Sequence, residues 1–106
     1  YYQSGILWYR NEAEGKFAAP IQIVNDNAGI TWSIAAGDID GDGDNDIVSL
    51  PQNISQSITT YLTVYENVNN GMSFNLKYAG TYDNGLTNRP LLVKFSDIDG
   101  DNDLDI

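Results

Sequence analysis

Apolar and polar residues alternate along short stretches of this chain, and turn signals separate the stretches. In residues 60–68, Val64 and Val68 fall on one side of an extended chain, while Tyr65 and Asn67 fall on the other. This two-residue period is typical of a β-strand. No stretch has a sustained helical period or a capped segment of helical length. The pattern therefore predicts an all-β fold.

Four short strands are predicted in the central part of the chain. We place strand A at about 31–38, strand B at about 46–50, strand C at about 60–68 and strand D at about 72–82. The pair Asn70-Gly71 is a hairpin signal between strands C and D. Together these strands predict one four-stranded antiparallel unit.

The unit recurs along the chain. The motif Leu7-Trp8-Tyr9-Arg10-Asn11 has a counterpart ending in Tyr65-Glu66-Asn67, and each is followed by a glycine turn and a phenylalanine. A period near 60 residues indicates a repeat architecture. Four-stranded units repeated around an axis are β-propeller blades, and a closed propeller needs roughly four to eight of them. We therefore predict an incomplete β-propeller.

The repeat divides the chain into three parts. Residues 1–28 would supply the last two strands of one blade, and residues 29–88 one complete blade. Residues 89–106 would supply the first strand of the next blade, around 91–95, with the loop that follows it. Fewer than two blades cannot close a ring, so we expect the remaining blades in the same chain or in an assembly of copies.

Two nine-residue stretches hold most of the acidic side chains. The first contains Asp38, Asp40, Asp42, Asp44 and Asp46, and the second contains Asp97, Asp99, Asp101, Asp103 and Asp105. Two like charges about 4 Å apart repel by roughly 1 kcal/mol even in water. Carboxylates this dense are relieved by a bound cation, so each loop is a candidate metal site.

The order of residues in the first loop favours calcium. Asp at positions 1, 3 and 5 lets a tight loop turn several carboxylates inward, and Gly43 at position 6 permits a positive φ. Asp46 at position 9 and the carbonyl of Asp44 at position 7 can complete an all-oxygen shell, which suits calcium. Zinc normally takes Cys or His ligands, which the chain lacks. An EF-hand needs Glu at position 12, where Ser49 stands. We predict two calcium ions, one per loop.

Composition limits the function classes. The formal net charge is −10, and ten of the fifteen acidic residues lie in the two loops. With only five Lys and Arg residues, the chain lacks the basic face that nucleic acid requires. It has no apolar run long enough for membrane insertion. It also has no His and no Cys, the usual general base and thiol nucleophile. We therefore expect no catalytic residue in this fragment and no cofactor besides calcium.

Two motifs resemble the integrin-alpha-like FG-GAP/VCBS repeat family, whose blades bind calcium. They are Gly37-Asp38-Ile39-Asp40-Gly41-Asp42-Gly43-Asp44-Asn45-Asp46-Ile47-Val48 and Leu7-Trp8-Tyr9-Arg10-Asn11. The resemblance implies ligands at positions 1, 3, 5 and 9 with the carbonyl at position 7. These would be Asp38, Asp40, Asp42 and Asp46 with Asp44, and Asp97, Asp99, Asp101 and Asp105 with Asp103. The second loop departs from the pattern because Asn102 replaces glycine, but Asn tolerates the left-handed conformation. We expect that site to bind as well.

The resemblance implies two classes of function. The first is an extracellular module, secreted or on the cell surface, in which structural calcium supports recognition of a glycan or a protein in adhesion. The alternative is part of the propeller of a secreted polysaccharide-acting enzyme, a lyase or dehydratase, with catalytic residues outside this fragment. The strand aromatics could form a sugar-stacking platform, but packing between blades is the favoured interpretation. These aromatics are Trp8, Tyr9, Trp32, Tyr61 and Tyr65.

Overall fold

The computed structural model describes residues 5–24, 30–53, 59–82 and 92–106. These residues form β-strands and no helix. The strands are β1 (Ile6–Trp8), β2 (Ile21–Val24), β3 (Ile30–Gly37), β4 (Asp46–Asn53), β5 (Thr59–Asn67) and β6 (Phe74–Tyr82). The all-β prediction is confirmed. Within the described ranges, no helix is long and apolar enough to cross a membrane.

The strands form two antiparallel sheets. Strands β1 and β2 pair in a small sheet, and β3, β4, β5 and β6 form a four-stranded sheet in chain order. Each of the four lies close to where the alternation predicts strands A to D. The main difference is in β4, which continues through Pro51 to Asn53. Pro51 lies beside a register irregularity between Thr31 and Ile34 of β3, as expected for a residue that cannot donate a ladder hydrogen bond.

One face of the four-stranded sheet packs against the β1–β2 sheet. Ile47 of β4 lies opposite Tyr65 of β5, and both side chains are buried. They share an apolar core with Ile6 of β1 and Val24 of β2. This contact fixes the small sheet over the larger one.

The other face packs against the C-terminal segment. Val48 and Val64 are opposite one another in the β4–β5 register, one residue along from the previous pair, and therefore point to the other side. With Leu50 they form a second core that buries Val93. The four-stranded sheet thus lies between residues 6–24 and residues 92–106.

The prediction of a strand around 91–95 is wrong for residues 92–95. Residues 92–95 form no strand, and Leu91 lies outside the described residues. A single isolated bridge pairs Ser96 with Asp105, at the position that Gly37 and Asp46 occupy in the β3–β4 pair. In this register Phe95 would lie opposite Ile106, and the described residues include no partner for 92–94. The segment is instead held to β3, where the Ser33 hydroxyl accepts a 3.1 Å hydrogen bond from the Val93 N–H.

The two hairpins have matching hydrogen bonds. An isolated bridge joins Asn11 to Phe17, as Asn67 of β5 pairs with Phe74 of β6. In each turn the Asn side chain accepts a bond from the backbone N–H two residues later, at 3.0 Å in the first hairpin and 3.3 Å in the second. The internal repeat is therefore present in the backbone geometry. The predicted boundaries between units, at 28/29 and 88/89, fall outside the described residues and stay predictions.

Candidate metal centre

The first Asp loop connects β3 to β4 and folds around Asp38. The two carboxylate oxygens of Asp38 accept hydrogen bonds from three backbone N–H groups, those of Gly41 at 2.8 Å, Asp42 at 3.1 Å and Gly43 at 2.9 Å. The Asp42 carboxylate accepts a further bond from the Asp44 N–H at 2.9 Å. The acidic side chains thus accept hydrogen bonds from backbone N–H groups of the loop, which have no strand partner.

The second Asp loop has the same fold 59 positions later. Asp97 accepts hydrogen bonds from Gly100 at 2.7 Å and Asn102 at 3.1 Å. Asp101 accepts the Asp103 N–H at 2.9 Å, as Asp42 accepts that of Asp44. The spacing of the aspartates therefore specifies one loop conformation, which the chain adopts twice.

Both loops require a left-handed residue at position 6. Gly43 has a φ of 94° and Asn102 a φ of 74°. Asn is among the few residues that adopt this conformation readily. Asn102 therefore adopts the left-handed conformation that Gly43 has in the first loop. The expected metal binding at the second loop stays a prediction.

Three carboxylates converge in each loop. One ligand oxygen each from Asp38, Asp40 and Asp42 lies within 4.8 Å of the others. In the second loop the group consists of Asp97, Asp99 and Asp105, within the same limit. Such clusters of hard oxygen donors fit a calcium ion. The arrangement brings positions 1 and 3 together in both loops, and differs in the third member.

Asp46 explains the difference between the loops. Its side chain is fully buried, at 0% exposure. One oxygen accepts the Ile39 N–H at 3.0 Å, and the other accepts the Asn67 N–H at 2.8 Å. Asp105, at the same position of the second loop, accepts the Ile98 N–H at 2.9 Å and remains partly exposed. Because both of its oxygens are held by backbone, Asp46 is the first loop's anchor to the sheet.

The remaining predicted ligands are outside these groups. The carboxylate of Asp101 does not join the second cluster, and those of Asp44 and Asp103 join neither. The sequence assigns Asp44 and Asp103 through their carbonyls rather than their side chains. Their role as ligands stays a prediction.

Residues 1–49 match a family model described as an FG-GAP-like repeat. The match covers just under half of the chain, which in that part is similar to an FG-GAP-like repeat. The resemblance predicted from the sequence is confirmed there, and the matched region contains the whole first Asp loop. The chain matches no curated protein and no solved structure.

Sequence reasoning missed Glu66, which lies near Asp40 of the first Asp loop. Its carboxylate is 3.0 Å from the Lys77 ammonium and contributes to the raised pKa of Asp40. Partial desolvation, followed by the charge of Asp42, raises the pKa of Asp40 above its ordinary value. The bond with Lys77 lowers the pKa of Glu66. The repeat gives no signal for Glu66, because Arg10 stands at the equivalent position of the first hairpin.

Asn67 was also missed, although a signal for it exists. The spacing of a Tyr and an Asn two residues later occurs in both hairpins, and both Asn side chains cap their turns. Asn67 additionally donates from its side-chain amide to the Asn45 carbonyl at 3.2 Å. The repeated Asn at the end of the strand was therefore a sequence signal for the residue that joins the β5–β6 hairpin to the first Asp loop.

The strand aromatics that the structure describes have different surroundings. Tyr65 is buried in the core between the sheets, as the packing interpretation expects. Tyr9 and Trp32 are exposed, at 52% and 55%. Trp8 is partly buried, and the side chain of Tyr61 lies outside the described residues. Trp8 and Trp32 each line a different cleft together with polar residues.

Proposed function

We propose that this chain is a calcium-stabilised segment of an extracellular β-propeller that acts as a recognition module for a glycan or a protein. The observation that carries the proposal is the doubled Asp loop: two nonapeptides with the same backbone hydrogen bonds and converging carboxylates. An isolated acidic turn has no reason to be repeated with this geometry.

The donor set fits calcium held as a structural ion. Asp38, Asp40 and Asp42 would hold one ion, and Asp97, Asp99 and Asp105 another. Bound calcium would neutralise carboxylates that otherwise repel one another across each loop. The first loop connects two strands and is tied to a third through Asp46. An ion there would stabilise the four-stranded sheet rather than take part in chemistry.

The packing of the sheet supports the propeller. Val93, at 7% exposure, is buried against the Val48 face. Its counterpart 59 positions earlier is Ile34, which is 53% exposed. Ile34 lies on the opposite face of the sheet from Val48, since it pairs with Ser49. Val93 is covered by the Val48 face of the unit before it. If successive units stack in the same direction, Ile34 would be covered by the corresponding face of the unit that precedes its own. We assign this role to a preceding blade, in the same chain or in another copy.

The proposed calcium ion and the family match both support an extracellular placement. Calcium loops of extracellular modules bind with dissociation constants of about 10⁻⁴–10⁻³ M, which only extracellular calcium saturates. The FG-GAP-like repeat of residues 1–49 supports the same placement. We therefore propose that the protein is secreted or displayed at a cell surface.

A thermal melt with and without calcium tests the structural role. A ligand that binds only the native state adds about 2.7 kcal/mol at a hundredfold excess over its dissociation constant. We expect calcium to raise the melting temperature of the protein and a chelator to reverse the rise. Asp42→Ala should reduce the rise, whereas Glu14→Gln, which removes an exposed charge outside both loops, should leave it unchanged. Identical melting curves with calcium and with chelator would contradict the proposal.

A further inference from the structure

A cleft of about 430 Å³ lies where the β1–β2 sheet meets the first Asp loop and the β5–β6 turn. Its volume is in the range of about 300–1,000 Å³ that is usual for small-molecule sites. Two aromatic residues, Trp8 and Phe74, line it together with Asn45 and Asn70. The cleft thus combines aromatic surface with a few polar groups, as ligand sites do.

Trp8 is fixed in the wall of this cleft by a close packing contact. A Cβ atom placed on Gly71 would come within 2.5 Å of Cζ3 of the Trp8 indole. The ring therefore lies directly against the glycine backbone of the turn. Only a glycine allows this approach, and Gly71 also has a φ of 83°. The aromatic surface is consequently rigid, which lowers the entropy cost of binding a ligand.

The Asn side chains in the cleft are of two kinds: one is hydrogen-bonded within the protein, and the others are not bonded to described residues. Asn67 is of the first kind, because its side chain bonds to Asn45, Asn69 and Gly71. The side-chain amides of Asn45 and Asn70 make no hydrogen bond to another described residue. Each amide offers donors and an acceptor. They are available to a ligand with several hydroxyl groups.

Charge restricts the ligand to neutral chemistry. No Lys or Arg lines the cleft among the described residues, and Asp44 of the first loop does line it. A phosphate, sulfate or uronate would meet this carboxylate without a basic side chain to pair with. A neutral sugar has an apolar C–H face for the aromatic rings and vicinal hydroxyls for the amides.

We infer that this cleft binds a neutral saccharide, with the sugar ring against Trp8 and its hydroxyls bonded to Asn45 and Asn70. The inference rests on the proposed recognition function and assigns it a site. Asp44 and Asn45 belong to the first Asp loop, so calcium that orders this loop also orders one wall of the cleft. Saccharide affinity should therefore be higher with calcium than with chelator.

The test is an NMR titration of the ¹⁵N-labelled, calcium-loaded chain with cellobiose, with diacetylchitobiose and with digalacturonate. We expect at least one of the two neutral disaccharides to shift the indole N–H of Trp8 and the side-chain amide of Asn70, and digalacturonate to shift neither. Asn70→Gly removes the amide and suits the φ of 47° at this position, so the fold should survive. It should weaken binding about tenfold, the effect of losing about 1.4 kcal/mol. Asn69→Ser, a neighbour that does not line the cleft, should bind as the unchanged protein does.

Three results would overturn the inference. They are no shift with either neutral disaccharide at millimolar concentration, equal affinity in Asn70→Gly and the unchanged protein, and shifts confined to residues outside the cleft. If calcium still raises the melting temperature in any of these cases, the calcium-stabilised fold stands and only the cleft assignment fails. Absence of a calcium effect would instead contradict the proposed function itself.

Discussion

The Oδ1 atom of Asp46 accepts a hydrogen bond from the backbone N–H of Asn67 at 2.8 Å. This bond joins the end of the first Asp loop to the end of β5, 21 residues later in the chain. Asn67 extends the connection into the β5–β6 turn, where its side chain accepts the Gly71 N–H at 2.8 Å. Loop, strand and turn therefore share one network of buried polar groups.

Loss of the Asp46 carboxylate should destabilise the protein even without metal. Asp46→Ala leaves the N–H groups of Ile39 and Asn67 without their acceptor, and hydrogen bonds to a charged group contribute about 1.5–3 kcal/mol each. We expect a loss of about 2–4 kcal/mol in the free energy of unfolding. Urea unfolding in the presence of a chelator measures it.

Asp105→Ala is the matched control. Asp105 holds the equivalent position, but its carboxylate accepts only the Ile98 N–H among the described residues. Its loss should cost less than half as much in the same experiment. Equal losses for the two variants would show that burial of Asp46 and its bond to Asn67 add nothing.

Gly71 should tolerate no side chain. Gly71→Ala introduces strain at a φ of 83° and pushes a methyl group into the Trp8 ring. Gly15→Ala in the first hairpin introduces the same strain at a φ of 74°, but with nothing within 4 Å of the new Cβ. Gly71→Ala should therefore cost about 1–3 kcal/mol more than Gly15→Ala, the usual range for overpacking. Similar midpoints of urea unfolding would contradict the Trp8 contact.

Two substitutions at position 6 of the first loop measure how much strain a side chain causes in the left-handed conformation. Gly43 has a φ of 94° with open space around it. Gly43→Ala should cost about 1–2 kcal/mol, because most residues are strained in the left-handed region. Gly43→Asn should cost less, since Asn102 already occupies this conformation in the second loop. Chelator-treated samples unfolded in urea give the comparison, and a larger cost for Asn than for Ala would refute it.

The strand order and the Asp loops were predictable because both depend on local sequence. Alternation located the strands, and the spacing of Asp38, Asp40 and Asp42 specified a tight loop. The burial of Asp46 was not predictable in this way, because its partner Asn67 is 21 residues distant. The absence of a strand at 92–95 depends on pairing partners rather than on the apolar residues themselves. Tertiary contacts decided each of these cases.

The two stacking faces should respond differently to truncation. Val93→Ala removes methyl groups from a buried core and should cost about 2 kcal/mol. Ile34→Ala removes more apolar surface but from a side chain that is 53% exposed. Its cost should stay within about 0.5 kcal/mol for this chain. A cost for Ile34→Ala equal to that for Val93→Ala would mean that Ile34 is already covered, against the proposed direction of stacking.

Calorimetric titration with calcium tests the central claim most directly, because it counts the sites. The account predicts two ions per chain, with Asp42→Ala weakening the first site and Asp99→Ala the second. Each variant should keep the other site largely intact, since the two loops draw their carboxylates from separate segments. Absence of calcium-dependent heat from the folded protein, or a single site unaffected by either substitution, would contradict it.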